Sequence, residues 1–258
     1  MKQINRSSQI VRVFGFRELM LRIHARLFPV PKLSIHDVAA SKLAVTRDVQ
    51  DVVSKLCFND LEGPKSGELL QMYLLEWRRV LNGIQSDLGG SAPVEWDVEK
   101  ETAKALYALV RVMRPKTALE TGIARGQSSL AILSAMEANG YGELHSCDVE
   151  ADTGQLVHSY LHGRWHRHLI DGRRPKESFS DLVRDLPTID LFFHDSNHRE
   201  AWMRFEFETV LPRMGPGAII GADDVEQNRA VLSAAEQTSY GLILLDSRKA
   251  SFFANLSA

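Results

Sequence analysis

Residues 117–129 read Thr-Ala-Leu-Glu-Thr-Gly-Ile-Ala-Arg-Gly-Gln-Ser-Ser. Thr117–Thr121 has the short apolar pattern of a buried strand, and Gly122 permits the sharp turn that must follow it. A helix is expected from about Gln127 to Asn139, with Gly126 letting the chain enter it close to the strand. Free amides at such a helix start favour an anionic group, and Ser128 and Ser129 add hydroxyl donors. The alternative is a structural strand-to-helix turn with no ligand, since a lone glycine turn is weak evidence. Ala124 stands where a second glycine would admit a pyrophosphate, so the GxGxxG order of a dinucleotide site is absent.

The alternation continues outward from this unit. Gly142–Asp148, His168–Asp171, Ile189–Asp195 and Ala218–Ala222 read as further strands, with a helix from about Arg199 to Met214 before the last. Strands separated by helices predict a parallel sheet covered on both faces. Gly241–Leu245 and Ser251–Leu256 follow, joined by the short polar segment Asp246–Lys249. So short a link predicts an antiparallel hairpin, whereas a simple dinucleotide fold would end on another parallel strand. The fold class is α/β, Rossmann-like, closed by this hairpin.

Ligands of open parallel sheets sit at the carboxyl ends of the strands. Those ends carry Glu120, Asp148, Asp171, Asp195, Asp223 and Asp224. Six acids on one rim repel one another unless something cationic lies among them. Asp148 is placed to accept from the two hydroxyls of a ribose, or to cap a following helix. Asp171 lies beside Arg173 and Arg174 and can equally form a surface pair. Asp195, Asp223 and Asp224 come from neighbouring strand ends, and carboxylates with open positions suit Mg²⁺; helix capping is the plain alternative for Asp223 and Asp224. His198, three residues after Asp195, faces the same crevice and is a candidate proton acceptor or a structural hydrogen-bonder. His194 points to the other strand face. His158, His162, His166 and His168 divide between a helical stretch and a strand, which does not favour one shared metal. Trp202, Phe205 and Phe207 fall at helical spacing and read as core.

The chain has 258 residues, 44% hydrophobic and 25% charged, which is the balance of a globular protein and excludes a disordered or collagen-like chain. A formal net charge of -2 gives no overall basic excess and no sign of a nucleic-acid partner. Two cysteines, Cys57 and Cys147, fit a reducing, cytoplasmic setting, and no apolar run approaches the roughly 20 residues that span a bilayer. Residues 1–34 differ from the rest: Lys2, Arg6, Arg12, Arg17, Arg22, Arg26 and Lys32 stand against Glu18 alone, on an amphipathic pattern. Such a helix packs on the main domain, joins a second subunit, or lies on an anionic membrane surface. Packing on the main domain or in a homo-oligomer is favoured because buried helices are commoner, and a peripheral membrane contact stays open. Helices are expected at about Asp48–Leu56 and Ser66–Gln85, a linker at Ser86–Pro93, and a long helix from Trp96–Asp97 to about Met113. The expected division is a helical N-terminal extension, residues 1–95, before a main domain, residues 96–258.

Over residues 96–258 the chain resembles the class I S-adenosylmethionine-dependent methyltransferases, in particular the small-molecule O-methyltransferase branch. The resemblance rests on ALETGIARGQSS, Asp148 after the second strand, DLFFHDSNH after the fourth, LPRMGPGAIIGADD through the fifth, and the terminal hairpin. It implies that Glu120, Gly122, Gly126 and Ser128 surround the methionine part of S-adenosylmethionine, that Asp148 meets the ribose, and that Asp171 and Gly172 lie near the adenine. The sugar and polyketide members imply Mg²⁺ on Asp195, Asp223 and Asp224, with His198 as general base and Asp195 beside it in catalysis. The expected substrate is a hydroxylated small molecule. An NAD-dependent oxidoreductase and a non-catalytic binding protein on the same fold are the competing readings.

Overall fold

A computed structural model describes residues 44–46, 48–57, 64–87, 98–225, 228–238, 241–245 and 250–254. The basic segment 1–34, and the expected linker beyond Asp87, lie outside the described residues. In chain order the elements are β1 (Ala44–Thr46), α1 (Val49–Cys57), α2 (Pro64–Asp87), α3 (Lys100–Met113), β2 (Thr117–Thr121), α4 (Gln127–Asn139), β3 (Glu143–Asp148) and β4 (Trp165–Leu169). They continue as α5 (Pro175–Asp185), β5 (Ile189–His194), α6 (Glu200–Val210), β6 (Met214–Ala222), α7 (Ala230–Thr238), β7 (Gly241–Leu245) and β8 (Ala250–Ala254).

The sheet runs β1-β7-β8-β6-β5-β2-β3-β4. Neighbours pair parallel except around β8, which is antiparallel to both β6 and β7. β2, β5 and β6 are central because they are apolar on both faces: Leu119, Phe192 and Ile220 face one side, and Ala118, Phe193 and Ile219 the other. The first side is closed by Phe179 and Val183 of α5 and by Met203, Phe207 and Val210 of α6. The second is closed by α3 and α4. Gly221 of β6 sits between Phe193 of β5 and Phe252 of β8; a Cβ there would stand 2.8–2.9 Å from both rings.

Three sequence expectations are corrected. The third parallel strand is Trp165–Leu169, not His168–Asp171. It is an outer strand whose side chains are mostly exposed, so WHRHL carries none of the apolar signal of an inner strand. Asp171 therefore lies in the turn after the strand. The helix expected to reach Met214 ends at Val210, and Met214 already opens β6. The third helix begins at Lys100, with Glu99 in the position before it, rather than at Trp96–Asp97. In addition β1, too short to show a pattern, pairs parallel with β7.

α1 and α2 share the main core. Val49, Val52 and Val53 of α1, with Leu70, Tyr73 and Trp77 of α2, lie in one apolar cluster with α3 and α4. Arg111 of α3 donates from Nε and Nη2 to the two carboxylate oxygens of Glu76 on α2, at 2.8 and 3.2 Å. Tyr107 Oη donates to Glu76 Oε2 at 3.1 Å, and the Arg111 guanidinium lies 4.3 Å over the Tyr73 ring. No helix among the described residues is long and apolar enough to cross a membrane.

Candidate functional site

Backbone bonding continues past the ends of the central strands and draws three turns together. Gly122 N–H donates to Cys147 O at 2.9 Å, Asp195 N–H to Thr121 O at 2.8 Å, and Asp223 N–H to His194 O at 2.9 Å. Gly122 has φ 83°, and a Cβ on it would stand 2.0 Å from Asp195 O. The close approach that requires glycine is thus made by the chain leaving β5. Ala124, at φ 46°, keeps the left-handed conformation with a side chain in place, at a cost of about 1–2 kcal/mol.

Asp148 holds this turn. Its Oδ2 accepts from Ile123 N–H at 2.8 Å and from Ala124 N–H at 3.4 Å, and its Oδ1 from Glu150 N–H at 3.0 Å. No helix follows for it to cap; the chain loops back, with Gly154 N–H donating to Ala124 O and Leu156 N–H to Arg125 O, both at 2.9 Å. Gly126, φ 92°, is packed by that loop, a Cβ there lying 3.0 Å from the Gly154 Cα. A carboxylate offers about four lone-pair sites, so Asp148 keeps capacity for a further donor.

Glu120 is fully buried on the α4 face of β2. Its Oε2 accepts from the Ser129 and Ser146 hydroxyls, each at 2.6 Å, and Trp165 Nε1 in turn donates to Ser146 Oγ at 2.9 Å. Glu120 Oε1 is buried without a hydrogen-bond partner. Burial raises the carboxyl's pKa, the hydroxyls of Ser128, Ser129 and Ser146 oppose the shift, and Asp148 adds to it. An uncompensated buried acceptor beside a strand-end turn suits a cationic donor such as an ammonium group.

At the ends of β5 and β6 the structure gathers Asp195, His198, Asp223 and Asp224. Burial, then the charges of Asp223, Glu120 and Asp224, raises Asp195 well above the ordinary carboxylate range. His198 Nε2 lies 3.7 Å from Asp195 Oδ1 and 3.6 Å from Asp224 Oδ2, so the imidazole stands between the two acids. Its Nδ1 is buried without a hydrogen-bond partner. Burial and the neighbouring His194, whose ring is perpendicular at 5.6 Å, push His198 down to about 3. His198 is thus neutral at neutral pH, and in this buried setting it is a weak base. Asn228 Nδ2 donates to His198 O at 2.7 Å and fixes the loop, and Asp224 adopts φ 50°. The donor chemistry of Asp195, Asp223 and Asp224 suits a hard cation. Among the described residues, however, the donor atoms standing within 4.8 Å of one another as a group of three belong to Glu143, His145 and His166, not to these aspartates. The aspartates would have to draw in around an ion.

Beneath this rim lies a residue that sequence reading missed. Glu206 of α6, 1% exposed, accepts from Thr121 Oγ1 at 2.8 Å, His194 Nδ1 at 2.6 Å, Ser196 Oγ at 2.7 Å and Trp202 Nε1 at 2.5 Å. It ties the end of β2 to the chain leaving β5. The signal was present: Met203, Glu206, Phe207 and Val210 form one buried stripe at helical spacing, with an acid inside it. Trp202, read as core, is anchored by the same carboxylate.

Asp171 and Gly172 lie in the turn after β4, just past Ile170, whose N–H donates to Asp148 O at 2.8 Å. Asp171 is exposed, accepts from Arg173 N–H at 2.9 Å and from Arg174 Nε at 3.2 Å, and its pKa is lowered by these contacts. Of the four histidines first grouped together, His166 and His168 lie on β4, and His158 and His162 before and within the short 3₁₀ turn Ser159–Arg164. The neighbour of the β4 pair is instead His145 of β3, whose ring stacks on His166 at 4.6 Å. Burial and the adjacent His166 and His168 push His145 down to about 4.

Residues 119–225 match the family model described as a methyltransferase domain. No curated protein matches the chain significantly. Among solved structures, the chain is similar to the O-methyltransferase from Bacillus cereus in complex with SAH, at TM-score 0.50 and 15% identity over 81% of this chain and 96% of that one. It is similar to the O-methyltransferase TomG from Streptomyces achromogenes, solved with SAM, at TM-score 0.50 and 16% identity over 82% and 97%. A methyltransferase from Geobacter sulfurreducens gives TM-score 0.50 and 17% identity over 69% and 89%. At these identities the likeness is one of fold.

Proposed function

From the premise that residues 119–225 form a methyltransferase domain on the class I fold, we propose that the protein moves the methyl group of S-adenosylmethionine to a hydroxyl of a small molecule. The observation that carries this reading is the meeting, at one rim, of the Asp148-held turn with His198 between Asp195 and Asp224. The sulfonium cofactor supplies an already activated methyl group, so the chain must position an acceptor in line and manage its proton. Glu120, Gly122, Gly126 and Ser128 would hold the methionine part, with Glu120 Oε1 taking the ammonium group. Asp148 would meet the ribose. Asp171 and Gly172, in the turn that follows Ile170 and its bond to Asp148, would lie near the adenine. His198 would take the proton of the acceptor hydroxyl, and Asp224, 3.6 Å from its Nε2, would raise its basicity and stabilise the imidazolium that results. Asp195, Asp223 and Asp224 would hold Mg²⁺, which supplies Lewis acidity toward an acceptor oxygen when bound. The dinucleotide reading is disfavoured, because Ala124 fills the second glycine position.

The test is transfer of labelled methyl from S-adenosylmethionine to a panel of sugar and polyphenol hydroxyls. His198→Ala should lower turnover by roughly 10²–10⁴ with cofactor affinity nearly unchanged. EDTA should abolish turnover and Mg²⁺ restore it. Full activity in EDTA would remove the metal from the proposal and leave His198 acting alone.

A further inference from the structure

A second set of metal-type donors lies across β3 and β4. Glu143 and His145 alternate on β3 and so share a face, and the parallel register sets His145 beside His166 and Cys147 beside His168 on that face. Glu143 Oε2 is 3.2 Å from His166 Nε2. The His145 and His166 rings stack at 4.6 Å with planes 16° apart. His145 Nδ1 is 3.1 Å from His168 Nε2. One donor atom from each of Glu143, His145 and His166 lies within 4.8 Å of the other two.

We propose that Glu143, His145 and His166 bind one divalent transition ion of the zinc class, clipping the outermost strand β4 to β3. Two imidazoles and one carboxylate are the donor set of a borderline ion, not of Mg²⁺ or Ca²⁺, which prefer all-oxygen shells. Zinc–ligand bonds of about 2.0–2.2 Å in a tetrahedron set donors about 3.3 Å apart, and the Glu143–His166 pair already stands at that spacing. A ligating imidazole normally has its second nitrogen held by an outer partner. His168 fills that role, since its bond to His145 Nδ1 fixes that ring and leaves the other nitrogen for the ion. The fourth position is open to water, because Glu143 and His166 are exposed. Glu143 opens the strand that Asp148 closes, so this site lies at the opposite end of β3 from the rim and has no part in the proposed transfer.

The experiment uses the full-length chain without a histidine tag, stripped with chelator and titrated with Co²⁺ and then with Zn²⁺. The expected result is one equivalent of Co²⁺ with the intense visible bands of a four-coordinate centre, displaced by Zn²⁺, and a thermal midpoint raised by Zn²⁺. Glu143→Gln and His166→Gln should each abolish the bands. His168→Ala should weaken Co²⁺ binding by about 10–100-fold. Unfolding midpoints in EDTA equal to the parent's would show that the variants fold. No binding at tenfold excess of Co²⁺ would overturn the proposal. So would bands that survive both His166→Gln and Glu143→Gln but vanish in Asp223→Ala, which would place the ion at the rim.

Discussion

Replacing Glu206 by Gln changes one atom type at a point where four donors converge. Trp202 Nε1 can only donate, so the remaining amide oxygen must turn to the side shared by Trp202 and Ser196. The amide NH₂ then faces Thr121 Oγ1 and His194 Nδ1. The Thr121 hydroxyl rotates and accepts. His194 must shift its proton to Nε2, which is buried without a partner. One buried donor is left unsatisfied, a cost of about 1–3 kcal/mol. Glu206→Ala leaves Trp202, His194, Thr121 and Ser196 without this acceptor and opens a void, so its cost should be larger, about 3–5 kcal/mol. Urea unfolding monitored by tryptophan fluorescence and by circular dichroism measures both. A Glu206→Ala variant within about 0.5 kcal/mol of the parent would refute the reasoning, since that is the range of surface substitutions.

Gly122→Ala should cost at least about 3 kcal/mol, because the new Cβ meets Asp195 O at 2.0 Å where φ is already 83°; an unchanged urea midpoint would contradict the described junction. Burial alone would raise the pKa of Glu76, yet hydrogen bonds from Arg111 and Tyr107 hold its carboxyl below the ordinary 4.5. The stabilisation it provides should therefore be full above about pH 4.5 and fade as pH falls through the lower folded-state value, so the parent and Glu76→Gln should converge in unfolding free energy at acid pH. Deleting residues 1–34 should change sedimentation or partition onto anionic vesicles while S-adenosylmethionine binding survives; an unchanged oligomeric state with no vesicle binding by the intact chain would sink that role.

Much of the fold was legible because its central units obey local rules. Thr117–Thr121 and Gln127–Asn139 were read to the residue, since an apolar strand, a glycine turn and a helix stopped at Gly140 each leave their own signal. The acids Glu120, Asp148, Asp195 and Asp223 were legible as polar residues at the ends of apolar runs, and the structure sets them at or just past the strand ends. β4 was misplaced because an outer strand need not be apolar, so Asp171 falls in the turn after the strand and not on it. What was lost depends on pairing between distant segments. Nothing local says that Glu206 meets Thr121, 85 positions away, or that Asp148 spends its oxygens on the turn at Ile123. His145 was overlooked because its partners His166 and His168 come from the next strand, and sequence spacing grouped those two with His158 and His162 instead.

The claim that the Asp148-held turn is a cofactor site is tested most directly by calorimetric titration of the full chain with S-adenosylmethionine and, separately, with NAD⁺. The account predicts saturable binding of S-adenosylmethionine, weakened by roughly 1–3 kcal/mol in Asp148→Ala, and no binding of NAD⁺. Tight NAD⁺ binding with no heat from S-adenosylmethionine would contradict it.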